Sequence, residues 1–155
     1  LCPVQAKGLA VFCTGLGGPQ LWAVRPDGRG DVGKTHIAWR ATEHAPRTPS
    51  PIVVDGLIYM TSDTGVLTCL DAASGKQVWR SRLGGSYAAS PLYADGRLYF
   101  CCRKGKTTVV KPGRTFKVLA TNELDGGFMA SPAISGRALI LRTKTHLYRI
   151  ENKAR

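Results

Sequence analysis

The stretch SPIVVDGLIYMTSDTG, Ser50 to Gly65, returns as SPLYADGRLYFCCRKG from Ser90 to Gly105 and, more worn, as SPAISGRALILRTKTH from Ser131 to His146. Gly56, Gly96 and Gly136 are spaced by 40 residues, and Ser50, Ser90 and Ser131 by 40 and 41. This fixed period is the strongest constraint in the chain. Each copy is one supersecondary unit too small to bury its own apolar surface, so the copies must stack on one another.

One unit holds four apolar runs, PIVV, LIYMTS, VLTCLD and QVWRSRL, cut by Asp55-Gly56, by Asp63 to Gly65 and by Ala72 to Lys76. Asp-Gly between β-rich runs is a two-residue hairpin signal. The pattern predicts an antiparallel meander with strands near 51–54, 57–62, 66–70 and 77–82. The later copies predict strands near 91–94, 97–102, 107–110, 116–121, 132–134, 137–142 and 146–150. No window keeps apolar residues at helical spacing over three turns. The inner runs LIYM, LYFCC and ALIL are apolar at successive positions, so both faces of each small sheet need cover. Sheets of this kind packed face to face at this period make a β-propeller. The expected fold is all-β, a single partial β-propeller domain over 1–155 with about four antiparallel four-stranded blades.

The first copy fits with an insertion. In AKGLAVFC, Gly8 takes the role of Gly56, and the step between them is 48 residues. The extra length falls in RPDGRGDVGKTH, Arg25 to His36, a polar loop between the third and fourth strands, after which Trp39 takes the position of Trp79. The blades then span approximately 1–46, 48–86, 88–126 and 128–152, the last with three strands. A stack with no polar capping unit is expected to expose apolar faces at its ends, carried by Leu9, Val11 and Phe12 on one side and by Leu139, Ile140 and Leu141 on the other.

LDAASGKQVW, Leu70 to Trp79, and the SPxxxDGxxY lead-in resemble the tryptophan-docking repeat of the PQQ-like (pyrroloquinoline-quinone-like) β-propeller family. Asp71, Ser74, Gly75, Lys76 and Trp79 carry the motif; the first blade keeps Trp39, and the third has Lys111 for the Asp and Leu119 near the Trp place. The residue chemistry suits a structural role: Asp71 can accept turn N–H groups, Gly75 can supply a positive φ, and Trp79 can fill the space between blades. The resemblance implies the C-terminal part of a longer propeller of seven or eight blades. It also implies a place in the periplasm or cell envelope, where members of this family, the lipoprotein of the outer-membrane barrel-assembly machinery among them, act as non-catalytic scaffolds that bind proteins.

The same resemblance holds the alternative, a quinoprotein dehydrogenase fragment binding pyrroloquinoline quinone and calcium, with Cys101-Cys102 as an adjacent disulfide against the cofactor. No Glu, Asn and Asp set for calcium assembles beside those cysteines, since Arg103, Lys104 and Lys106 follow them. Asp27 and Asp31 in the long loop could offer oxygens to calcium or cap their own turns. The expectation is therefore no catalytic, cofactor or metal residue, and no cofactor. The five cysteines show no zinc spacing. The net charge of +12 favours an anionic partner. Its densest run, Arg103 to Lys117, has only Phe116 as an interleaved aromatic, which argues against a single-strand nucleic-acid platform.

Overall fold

The computed structural model describes residues 2–14 and 17–151; Leu1 and Asn152, at the outer bounds of the first and last expected blades, lie outside them. The fold is an all-β stack of blades. The first sheet holds β1 (Val4–Ala6), β2 (Leu9–Cys13), β3 (Leu21–Val24) and β4 (Ile37–Ala41). The second holds β5 (Ile52–Val54), β6 (Leu57–Thr61), β7 (Val66–Asp71) and β8 (Gln77–Arg82). The third holds β9 (Leu92–Ala94), β10 (Arg97–Cys101), β11 (Lys106–Val110) and β12 (Val118–Glu123). The fourth has three strands, β13 (Ala133–Ser135), β14 (Ala138–Arg142) and β15 (Leu147–Ile150). All neighbours are antiparallel and sequential, and the strands fall within one or two residues of the apolar runs that predicted them.

β1 contacts β5 and β5 contacts β9, so the first strands lie along the centre of the stack. There the repeated Ser-Pro has a specific use. The backbone N–H of Ser50 donates to Ser90 Oγ at 3.0 Å, and that of Ser90 donates to Ser131 Oγ at 2.9 Å. The Cys2 N–H donates to Ser50 Oγ at 2.8 Å, which places Cys2-Pro3 in the Ser-Pro position of the first blade. Each blade is thus pinned to the next by a side chain that sits at the same point of the repeat.

The hairpin turns explain a shift in the repeat. Lys7 and Gly8 have φ of 50° and 77°, and Asp55 and Gly56 have 50° and 74°. Both central residues are left-handed, as a type I′ turn requires. In the fourth blade Gly136 is the first central residue, with φ of 60°, and Arg137 is not left-handed, the pattern of a type II′ turn. Gly136 therefore stands where Asp95 stands in the third blade, not where Gly56 and Gly96 stand. The fourth copy is offset from the third by 41 residues, as its serine is.

The ends of the stack also differ from expectation. Val11 and Leu141 are buried, at 0% and 3% exposure, and Leu9 and Leu139 pack beside them against the neighbouring blade. Side chains alternate along a strand, so of the six residues expected on the end faces only Phe12 and Ile140 point away from the stack. Phe12 lies against Trp22 with ring centroids 6.3 Å apart, and the Arg40 guanidinium covers Trp22 at 4.2 Å. On the fourth blade Leu147 is 73% exposed. The purified 155-residue chain is expected to self-associate through these end faces, as a mass above the monomer in light scattering. A monomer across the accessible concentration range would show that the Arg40 cover suffices.

Candidate functional site

Three rows of cross-strand neighbours decide how well each blade seals against the next. They are Val11–Ala23–Trp39, Tyr59–Cys69–Trp79 and Tyr99–Val109–Ala120, each read outward across one sheet. In each blade the pairing of the third and fourth strands shifts register at the residue that follows this row, a bulge that turns the outer strand.

Trp39 closes the first interface. Its indole N–H donates to Ala72 O at 3.2 Å, and its ring lies so close to Gly75 that an added Cβ would sit 2.5 Å from it. Gly75, with φ of 69°, therefore serves both the turn and the neighbouring blade's indole. Trp79 does the same at the second interface. Its indole N–H donates to Gly113 O at 2.9 Å, and its ring packs between Tyr59 and Phe116, with centroids 5.8 and 5.2 Å away. Trp79 is half-buried, packed against the core cluster that joins the second and third blades. Tyr59 is fully buried; its hydroxyl accepts from Gly113 N at 2.7 Å, and burial pushes its pKa up to about 12.

Asp71 organises the turn that receives Trp39. Its Oδ1 accepts from the N–H groups of Ala73 and Ser74 at 3.2 Å and from Ser74 Oγ at 3.0 Å, and Arg114 of the next blade approaches Oδ2 at 3.4 Å. The Ser74 hydrogen bonds, with a smaller contribution from Arg114, hold its pKa below the usual carboxylate value. Lys76 is exposed and closes the turn through its backbone, its carbonyl accepting from Asp71 N at 2.9 Å. A carboxyl depressed in the folded state contributes stability above its unfolded pKa and loses it as pH falls through the folded one. Denaturation midpoints of wild type and Asp71→Asn should therefore differ at neutral pH and converge below about pH 4. A gap that persists at low pH would mean that the charge of Asp71 contributes nothing.

The third interface is not sealed. Ala120, rather than Leu119, holds the tryptophan position, and Thr107 stands where Leu21 and Leu67 stand in the earlier blades. Arg97 begins β10 where Leu57 begins β6. A cleft of about 560 Å³ lies between the third and fourth blades, lined by Asp95, Arg97, Tyr99, Thr107, Asn122 and Glu123 on one wall and by Leu139, Ile150 and Glu151 on the other. Ile150 occupies the position of Val110, yet is 44% exposed where Val110 is 0%.

The dehydrogenase features do not assemble. Cys101 belongs to the apolar cluster with Phe128 and Leu141, and Cys102 to the cluster with Tyr59 and Phe100. Adjacent residues of one strand project to opposite faces, so these free thiols point into different blade interfaces rather than toward a common ligand. Asp27 lies 3.5 Å from His36 Nε2, and Asp31 accepts from Gly33 N at 3.0 Å, so both carboxylates serve the long loop. Among the described residues no three His, Cys, Asp or Glu side chains gather as a metal site. The residues present do not fit a quinone with calcium.

Burial raises the pKa of Cys69 to about 12 and of Cys13 and Cys101 to about 11, whereas Cys2 is exposed. A thiol reagent at pH 8 should label Cys2 at once and Cys69, Cys101 and Cys102 only on denaturation. Fast labelling of the adjacent pair in the folded chain would contradict their burial.

The basic run splits in the fold. Successive turns of a meander lie at opposite ends of a blade, so Arg103 and Lys104 occupy one end of the third blade and Lys111, Arg114 and Lys117 the other. The Ser-Pro girdle and the cleft between the third and fourth blades were missed in the sequence. The signal for the girdle was the Pro that follows Cys2, Ser50, Ser90 and Ser131 alike.

Comparison with known proteins agrees with this architecture. Residues 16–127, more than half of the chain, match the family model described as outer membrane protein assembly factor BamB. The BamB of Burkholderia pseudomallei (strain K96243) is 30% identical over 95 residues, covering 61% of this chain and 24% of that protein. The crystal structure of BamB from Moraxella catarrhalis superposes with a TM-score of 0.70 at 9% identity, covering 91% of this chain and 39% of that one. The quinohemoprotein alcohol dehydrogenase ADHIIG of Pseudomonas putida HK5 shares the fold, with a TM-score of 0.69 at 15% identity over 90% of this chain and 27% of that one. The chain thus spans about a quarter of the curated relative and two fifths of the solved BamB. On the family match, the chain belongs to the family of the outer membrane protein assembly factor BamB.

Proposed function

We propose that this chain is part of a non-catalytic, protein-binding scaffold of the bacterial cell envelope that serves outer-membrane protein assembly. The observation that carries the reading is where the recurring polar side chains are spent. The hydroxyls of Ser50, Ser90 and Ser131 tie blade to blade, Asp63 accepts from Arg47 N at 2.7 Å and Thr48 Oγ1 at 2.8 Å, and Asp71 caps its turn. The repeat thereby builds a rigid stack whose surfaces and clefts remain for contact with other molecules, and fold alone would not choose between scaffold and enzyme. The net charge of +12 supports an acidic partner surface.

The test uses the full protein that contains this chain. Deleting it should lower the level of barrel proteins in the outer membrane, and the protein should fractionate with the envelope. Alcohol-dependent dye reduction after addition of pyrroloquinoline quinone and calcium, abolished by a variant of Cys101 and Cys102, would overturn the reading in favour of a dehydrogenase.

A further inference from the structure

The outer strands of the first three blades are not alike. β4 reads IAWRA and β8 reads QVWRSR, each with arginine in the strand and a tryptophan turned toward the next blade. β12 reads VLATNE, and all six of its residues are exposed. It has no Lys or Arg, and Val118 and Leu119 are each 42% exposed. Its one charged residue is Glu123 at its far end, and an exposed edge strand with so little charge is a template for another strand, since natural sheets usually block such edges with charge. Beside this edge, along Asn122 and Glu123, opens the cleft between the third and fourth blades. The large exposed hydrophobic residues gather in the same half of the chain, among them Tyr93, Val118, Leu119, Ile134 and Ile150.

Charge adds a direction. At the Val118 end of β12, Arg114 is paired with Asp71, and Arg97 forms an ion pair with Asp95. Lys111, Lys117 and Arg137 lie at that same end with no carboxylate partner among the described residues. The site thus offers unpaired backbone groups, a cleft in which Tyr99, Leu139 and Ile150 lie beside Asp95, Glu123 and Glu151, and unpaired positive charge at one end.

We propose that β12 receives an extended acidic peptide as a fifth strand of the third blade, with one aromatic side chain of that peptide entering the cleft beside Tyr99, Leu139 and Ile150 and its carboxylates lying beside Lys117. The proposal rests on the scaffold reading and names its ligand class. Backbone pairing would supply affinity, and the cleft would select the aromatic residue, the usual division in strand addition.

A fluorescein-labelled synthetic peptide tests this: an alternating Thr/Val segment with one central Trp and Asp residues at one end. The 155-residue chain should bind it saturably, with protection from amide hydrogen exchange appearing along β12. Asn122→Trp places an indole in the cleft from its own wall and should weaken binding by about tenfold or more while the variant still melts cooperatively. Should that variant fail to fold, the peptide with Ala for Trp makes the same comparison on the wild-type chain, with the same loss expected. Lys117→Glu should weaken binding several-fold and flatten its salt dependence. No binding at about 1 mM peptide, or equal affinity for the Trp and Ala peptides, overturns the proposal. So does protection at β15, which would mean completion of the fourth blade, or protection confined to the end faces, which would mean a second copy. Neither result touches the scaffold reading, which fails only in the quinone assay and the deletion phenotype.

Discussion

Trp79→Ala is expected to destabilise the chain by about 3 kcal/mol, the low end of the range for deleting a packed aromatic side chain, because Trp79 is half-buried. Three things are lost together. Tyr59 and Phe116, from the two blades that meet there, lose the ring between them, at 5.8 and 5.2 Å. Gly113 O loses its indole donor at 2.9 Å. The cluster that joins the second and third blades is left with alanine at the tryptophan position, as the third blade has in Ala120. Trp79→Phe keeps a ring but not the hydrogen bond and should recover all but about 1 kcal/mol. Urea unfolding, at a concentration where light scattering shows one species, reads both. A loss below about 1 kcal/mol for the alanine variant would mean that the blades adhere through their inner strands alone.

The fold was legible because its signals are local and repeated. Asp55-Gly56 and Asp95-Gly96 specify tight turns whatever the tertiary context, and successive apolar residues in LIYM and LYFCC ask for cover on both faces. What stayed hidden depends on geometry between blades. Ser90 reads as part of a Ser-Pro lead-in, and its hydroxyl finds the Ser50 amide only once two blades stack. Leu119 appeared to stand near the tryptophan place because the connection between the paired residues Val110 and Val118 is one residue longer than that between Leu70 and Gln77, and nothing in the degenerate turn sequence marks the extra residue. Gly136 was aligned with Gly96 because glycine can fill either central position of a primed turn, so the residue type does not say which one it holds. The missing seal at the third interface is a subtraction, visible only when Tyr99–Val109–Ala120 is laid beside Tyr59–Cys69–Trp79.

Gly105→Ala is expected to cost about 3 kcal/mol or more, the sum of a left-handed backbone that alanine adopts poorly and a backbone collision. Gly105 has φ of 95° and lies under the segment that leaves the third blade. Its carbonyl accepts from Leu124 N at 3.0 Å, and its own N–H donates to Cys102 O at 3.0 Å. A methyl group there would collide with the Leu124 carbonyl oxygen, well inside the contact distance of carbon and oxygen. The same clasp recurs one blade earlier, where Gly65 O accepts from Leu83 N at 2.9 Å and a Cβ on Gly65 would meet Gly84 O at 2.7 Å. These two glycines therefore hold the passage from one blade to the next, and the backbone that crowds them has no flexible end that could give way. Gly96→Ala is the control. Gly96 has φ of 69° but nothing within 4 Å of an added Cβ, so only the conformational cost of about 1 kcal/mol should appear. Unfolding midpoints of the two variants should thus separate widely. If they coincide, the Leu124 segment can move aside without loss, and the blades are joined less rigidly than the hydrogen bonds across Gly65 and Gly105 imply.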